Sequence, residues 1–494
     1  MSVFTKSNKM CRLTFAILTS VVLALAGGQM AIGAAVSPNI VVILCDDLGY
    51  GDLQCYGHPV IETPNLNMLA AGGLRFIACY SASPVCSPAR VGLLTGRNPN
   101  RAGVYDWIRP ASGVQPDCED LVHLRRCEIT IPQLLQNAGY ATCMAGKWHC
   151  NSKFNSADQP QPDAAGFDYW FATQNNAFPS HLNPENYVRN GKSTGRLEGS
   201  SCQLAAQEVI SWLDRHVTDH PHQPFFVYLA FHEPHEPVAS PEELVAKYRT
   251  LSNNEDEAQY FANVANVDLA VGRIVRSLER LNRRENTLII FTSDNGPETL
   301  NRYRTATRSY GRATPLRGMK LWTTEGGIRV PGIINWPAKK FGGRVSNEPV
   351  FALDFLPTIC ELASVQPPAT LHLDGISIVP LLNGQHMSRP QPLLWCYFNS
   401  LNEQQVAMRS GNWKMLAKLD GGRLMKMRNW TVDDRTAVMS RKLTDFELYR
   451  LDDDIHESRD VFDTEPYAHE LKRQMVRLYK ELSKNSYYWN RDSL

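Results

Sequence analysis

Six short segments of this 494-residue chain carry residue types that could do chemistry. Asp46 and Asp47 stand together in LCDDLGYGD, and Asp294 and Asn295 stand together in SDNG. Adjacent acidic residues often only cap a turn. Here the two pairs also supply three carboxylates and one amide, an all-oxygen set that suits Ca²⁺ or Mg²⁺ and argues against zinc. Cys86 lies in PVCSPAR, with Arg90 at its end and LLTGR a little further on. Lys147 and His149 lie in GKWH, and His232 and His235 lie in HEPHEP. Lys320 precedes Glu325-Gly326-Gly327 with four residues between. Each of these would be an ordinary structural or loop residue by itself. Together they offer imidazoles that can move protons and amines that can draw in an anion.

The elements that must position them are legible nearby. Residues 39–44 read NIVVIL and lead straight into Cys45, Asp46 and Asp47. Residues 288–292 read LIIFT and lead into Ser293, Asp294 and Asn295; residues 225–231 read FFVYLAF and lead into His232. Such continuous apolar runs predict strands buried on both faces of a parallel sheet. Ligands of open α/β sheets bind beyond the carboxyl ends of the strands, where these polar groups fall. Apolar spacing predicts helices over 63–73, 129–138 and 257–281, so strands and helices alternate. After Asn383-Gly384 and the prolines Pro390 and Pro392 the pattern changes. Short strands over 393–398, 405–408 and 413–417 and a helix over 465–482 predict a small antiparallel sheet with a helix.

The formal net charge is +1, so any pull on an anion has to be local, and nothing argues for nucleic acid as a partner. Lys6, Lys9 and Arg12 precede an apolar stretch over 13–26, and Gly33, Ala34 and Ala35 follow. This is the pattern of a secretory signal peptide over residues 1–35. The apolar core is short for a membrane span of about 20 residues. The expectation is therefore an exported protein, periplasmic or secreted, without a stable membrane span after cleavage. A catalytic domain over 36–385 and a C-terminal subdomain over 386–494 complete the division.

The C-x-P-x-R of residues 86–90 with its trailing L-L-T-G-R resembles the maturation signature of the type I sulfatases. The other segments resemble that family's, in order, over residues 38–380, and stand nearest its arylsulfatase and N-acetylgalactosamine-6-sulfatase members. The resemblance implies an alkaline-phosphatase-like α/β fold. It implies that a formylglycine-generating enzyme oxidises Cys86 to 3-oxoalanine (formylglycine), whose hydrate offers one hydroxyl to attack sulfur and a second to expel sulfate. It implies that Arg90 holds that hydrate. Asp46, Asp47, Asp294, Asn295 and residue 86 would bind one divalent cation, Ca²⁺ before Mg²⁺. Lys147 and Lys320 would contact the sulfate, His149 would be the base, and His235 the acid for the leaving alcohol, with His232 its rival. The implied substrate is a sulfated carbohydrate. A phosphodiesterase or phosphonate hydrolase of the same superfamily would share nucleophile and metal. A secreted glycan-binding protein on a decayed sulfatase fold would have lost one of these residues, and all are present.

Cys143, Cys150, Met319 and the pair Leu321-Trp322 depart from the family's usual residues; the two cysteines would alter the packing near His149, and Met319, Leu321 and Trp322 the substrate mouth. Export would allow disulfides, with Cys118–Cys127 and Cys143–Cys150 as candidates, while buried free thiols fit the sequence equally. The site for the alcohol is not legible. Candidate lining segments are 107–114, 173–181, 300–311 and the small domain, with Asn176, His181, Arg302 and Tyr310 as possible partners of sugar hydroxyls.

Overall fold

The computed structural model describes residues 37–111, 118–299, 306–422 and 429–490. The expected signal peptide and Arg302 lie outside the described residues.

The strand β1 (Asn39–Asp46) is buried along its whole length. It is β-branched and apolar because both its faces are covered. Ile40, Val42 and Leu44 enter one hydrophobic core and Val41 and Ile43 the other. Around it are β2 (Leu74–Tyr80), β3 (Ala141–Lys147), β4 (Tyr169–Thr173), β5 (Val188–Arg189), β6 (Lys192–Ser193), β7 (Phe225–Pro234), β8 (Thr287–Ser293), β9 (Arg329–Asn335) and β10 (Arg344–Ser346). The sheet runs β10-β2-β9-β8-β1-β7-β3-β4-β5-β6, and β11 (Val350–Phe351) also pairs with β2. The pairs of β1 with β7 and β8, and of β3 with β4 and β7, are parallel. β9 is antiparallel to β2 and β8.

Helices cover both faces. One face carries α1 (Pro64–Ala71), α4 (Ser201–Asp219) and α5 (Glu255–Arg280); the other carries α2 (Cys86–Thr95), α3 (Ile131–Asn137) and α6 (Phe355–Leu362). Their limits follow local chemistry. In α5 the side chain of Asn254 accepts from Glu257 N–H, three acids fill the first turn and Arg280 sits in the last, all favourable to the helix dipole. In α3, Thr130 and Gln133 form a reciprocal cap.

The C-terminal strands β12 (Leu393–Cys396), β13 (Val406–Ser410), β14 (Trp413–Leu419) and β15 (Leu443–Arg450) form an antiparallel sheet. Alternate residues divide between its faces. Val406, Met408, Met415 and Ala417 pack with Leu471 and Met475 of α7 (Ala468–Asn485), whereas Trp395, Ala407 and Leu416 join the core of the large sheet. This is the expected class, a mostly parallel sheet between helices plus a small antiparallel sheet with a helix. The sequence reading did not foresee β2, β3, β4, β9 or β15.

All eleven cysteines among the described residues are free thiols, so the disulfide alternative falls. Cys143 points into one core and Cys150 into the other, across the sheet. Cys118 is buried while Cys127 is exposed. Among the described residues no helix is long and apolar enough to cross a membrane.

Candidate active site

The carboxyl ends of β1, β3, β7 and β8 meet at one buried cluster. β1 and β8 run in register, Cys45 opposite Ser293, so Asp46-Asp47 and Asp294-Asn295 leave the sheet side by side. Asp47 takes a left-handed backbone, φ 62°, which is uncommon for a residue with a Cβ. Its N–H donates to Asp294 Oδ1 at 3.2 Å. Asn295 Nδ2 donates to Asp47 Oδ1 at 2.7 Å and to Gly296 O at 2.8 Å. That orients Asn295 Oδ1 away from them, buried and without a hydrogen-bond partner among the described residues; Asp46 Oδ1 is in the same condition. Buried oxygens are rarely left so. The donors are carboxylate and amide oxygens, and the orphaned pair fits a hard dication.

Two glycines permit the approach of the cations. At Gly296 a Cβ would lie 2.0 Å from Gly326 O. The bare backbone lets Gly296 N–H reach Gly327 O at 2.9 Å, and Lys320 N–H then reaches Pro297 O at 2.9 Å. Lys320 Nζ lies 2.7 Å from Asp47 Oδ2. At Gly146, φ 105°, a Cβ would lie 1.8 Å from Ala230 O of the neighbouring strand. The next residue, Lys147, places Nζ 2.5 Å from Asp46 Oδ2 and 3.3 Å from Asn176 Oδ1.

Cys86 is the first residue of α2, and Arg90 follows one turn later. Arg90 Nε donates to Asp294 Oδ2 and Nη1 to Lys147 O, both at 2.9 Å, while Nη2 is 3.8 Å from Asp46 Oδ1. It thus ties the ends of three strands together. Burial pushes the Cys86 thiol up to about 11, against the pull of Lys147 and Lys320. An unmodified thiol here stays protonated at neutral pH and is a poor nucleophile.

The two imidazoles differ in their free nitrogen. His149 Nε2 is 2.8 Å from Ile108 O. A carbonyl only accepts, so Nε2 carries the proton and Nδ1 carries the lone pair. Nδ1 has no hydrogen-bond partner among the described residues. Burial, then Lys147 and Arg90, hold this imidazole well below its usual pKa. His235 pairs Nδ1 with Glu236 O at 2.6 Å and turns Nε2 toward Asp47 Oδ2 at 3.5 Å. One ligand atom each from Asp46, Asp47 and His235 fall within 4.8 Å of one another. Burial and then Lys320 hold His235 down to about 4. His232, the rival, is engaged by Thr173 Oγ1 at 2.7 Å and Ser201 Oγ at 2.8 Å.

The electrostatics balance. Burial opposes charge on Asp46, but Lys147, His235 and Arg90 prevail and hold its pKa well below the carboxylate range. Burial, then Asp46, push Asp294 up. Three carboxylates (Asp46, Asp47, Asp294) face three permanent cations (Arg90, Lys147, Lys320). A dication added to such a buried set calls for an anionic ligand beside it.

Among the expected lining residues, Asn176 touches Lys147. His181 is fully buried, and the Tyr310 hydroxyl pairs with Asn254 Nδ2 at 2.9 Å. The sequence reading missed Asp106, which accepts from Tyr397 Oη at 3.0 Å and Asn399 Nδ2 at 2.5 Å. No local motif announces it, because its partners lie almost 300 residues away in sequence.

Fold and site together define an α/β protein with a buried, oxygen-lined and cation-ringed centre at the carboxyl edge of its sheet. Comparison with known proteins makes this specific. Residues 38–365 match the Sulfatase family, and residues 319–421 match the C-terminal region of N-sulphoglucosamine sulphohydrolase. The N-acetylgalactosamine-6-sulfatase of Canis lupus familiaris is 35% identical over 381 residues, 74% of this chain and 70% of that one. Arylsulfatase A of Bos taurus is 34% identical over 476 residues, 90% of this chain and 87% of that one. Among solved structures, Ps i-CgsB in complex with k-i-k-neocarrahexaose superposes with a TM-score of 0.76 at 27% identity, covering 92% of this chain and 96% of that one. The chain belongs to the sulfatase family. It is a sulfuric ester hydrolase on an alkaline-phosphatase-like fold.

Proposed function

We propose that this protein hydrolyses sulfate monoesters of carbohydrates, with formylglycine at position 86 and one divalent cation, Ca²⁺ before Mg²⁺, held by Asp46, Asp47, Asp294, Asn295 and residue 86. The observation that carries the reading is the pair of orphaned buried oxygens, Asp46 Oδ1 and Asn295 Oδ1, inside a ring of cations. When bound, the cation supplies charge neutralisation for the sulfate and favours an ionised nucleophile; the aldehyde hydrate supplies that nucleophile.

The chain's own residues do the rest. Lys147 and Lys320 bind sulfate oxygens and stabilise charge as it spreads in the transition state. Arg90 fixes Asp294 and the end of β3, so residue 86 faces a rigid set of charges. His235 gives a proton to the departing alcohol oxygen; the negative sulfate beside it raises its affinity for that proton above the low value of the empty site. His149, whose tautomer is set by the Ile108 carbonyl, takes a proton at Nδ1 during release of sulfate. Residues 36–385 form the catalytic domain in this reading and 386–494 a subdomain that walls the site. Residues 1–35 direct export to the periplasm or beyond, and a formylglycine-generating enzyme is the maturation partner.

The test is sulfate release from a panel of sulfated mono- and oligosaccharides beside aryl phosphodiesters. The reading expects turnover on at least one sulfated sugar far above any phosphodiester. Faster phosphodiester cleavage would overturn it.

A further inference from the structure

Around residue 86 lies a small apolar group whose other members the chemistry above does not use. Val85, Cys86 and Tyr397 pack together, and Trp107 and Leu321 pack against them while remaining partly exposed. Both side chains are held by their backbones. Leu321 adopts φ 67°, a conformation disfavoured for a residue that bears a side chain. Its N–H donates to Pro84 O at 2.8 Å and its carbonyl accepts from Leu401 N–H at 3.0 Å. It directly follows Lys320. On the other side, Trp107 N–H donates to Asp106 Oδ1 at 2.8 Å, and Ile108 N–H donates to Ser87 Oγ at 2.9 Å. Ile108 O takes the His149 bond. Trp107 is therefore fixed between a residue braced to the C-terminal sheet and one braced to the nucleophile helix and the base.

We infer that Trp107 and Leu321 form the subsite for the alcohol, gripping the carbon–hydrogen faces of the pyranose that bears the sulfate. This rests on the reading of the protein as a carbohydrate sulfatase. A pyranose presents an apolar face and a polar edge. Apolar walls with a few placed polar groups match that shape, and an indole offers a broad rigid surface for it. Asn399, partly exposed and bonded to the Asp106 carboxylate next to Trp107, supplies an amide for hydroxyls at the edge. Asp106 is the positioning residue. Its carboxylate gathers Tyr397, Asn399 and the Trp107 backbone into one unit.

Steady-state kinetics on the matured enzyme test this, comparing Trp107→Ala, Trp107→Phe and Leu321→Ala on a cleaved pyranosyl sulfate and on a simple alkyl sulfate. For Trp107→Ala the inference expects KM on the sugar to rise about tenfold or more, kcat to change far less, and the loss in kcat/KM to exceed that on the alkyl ester about tenfold. Trp107→Phe should restore most of the sugar's affinity. Equal losses on both esters, or a fall in kcat alone, would overturn the subsite while leaving the carbohydrate reading intact. A wild-type enzyme that cleaves the alkyl ester and no pyranosyl sulfate would overturn the carbohydrate reading itself, and this subsite with it.

Discussion

Two clusters of buried charge differ in what they leave unsatisfied. One is the cluster of Asp46, Asp47 and Asp294 with Arg90, Lys147 and Lys320. The other lies where the C-terminal sheet meets the large one. There Lys414, fully buried in β14, sits 2.8 Å from Glu325 Oε1 and 3.5 Å from Glu457 Oε1. Glu325 Oε2 accepts from Tyr80 Oη at 2.6 Å and from Arg329 at 3.1 Å, and Glu457 Oε2 accepts from Glu325 N–H at 2.8 Å. Both oxygens of Glu325 are thus bonded, while Glu457 Oε1 has no hydrogen-bond partner among the described residues and faces only the Lys414 ammonium at 3.5 Å. In the first cluster Asp46 Oδ1 and Asn295 Oδ1 have no such donor. Neither burial nor a single open acceptor sets the first cluster apart; it has two open acceptors, on adjoining strand ends, whose charged neighbours act on Cys86. The second cluster is a clasp, and it holds the Glu325-Gly326-Gly327 segment against which Asn295-Gly296 is set.

Four experiments can break or sharpen this contrast. The largest effect is expected for Asp294→Ala. Activity should fall about 10³-fold or more, the upper scale for loss of one electrostatic stabiliser, and metal content by mass spectrometry should fall with it. Retained metal would remove Asp294 from the ligand set. Next is Lys414→Met, which takes from two buried carboxylates the cation they share and leaves Glu457 Oε1 and Glu325 Oε1 unpaired. Denaturant unfolding should show a loss of about 3–5 kcal/mol with bound metal unchanged. A stable variant that loses metal would make the clasp part of the site. His235→Asn should lower kcat about 10²-fold, more for esters of poorly acidic alcohols than for aryl esters. An equal fall across leaving groups would deny it the role of acid. The smallest effect concerns pH. Burial and then, after the opposing pull of Lys414, Glu325 raise the pKa of Glu457. A raised carboxyl pKa means that the folded state holds the proton longer. Its contribution to stability is full below the ordinary carboxylate range and is lost as pH rises through the folded value. Glu457→Gln should therefore flatten the thermal midpoint as pH rises from about 4.5 toward neutrality. An unchanged pH slope would contradict the assignment.

Legibility in the sequence followed burial. β1, β7 and β8 could be read because they are covered on both faces and so are continuously apolar. β3 could not. Gly146 and Lys147 interrupt its pattern, and both are there for the site: one to allow contact with Ala230 O, the other to reach Asp46. β9 is broken by Pro331 and Gly332, the latter pressed against Cys79. The acidic pairs, Cys86, Lys147, His149, His235 and Lys320 were visible as short local patterns. Asp106, Tyr397 and Lys414 were not, since each matters only through partners brought close by the fold.

The central claim is that residue 86 works as an aldehyde and not as a thiol. Mass analysis of the tryptic peptide containing residue 86, from active and natively exported protein, tests it most directly. The account predicts a peptide in which the CH₂SH group has become CHO or its hydrate. An intact cysteine in fully active protein would contradict it.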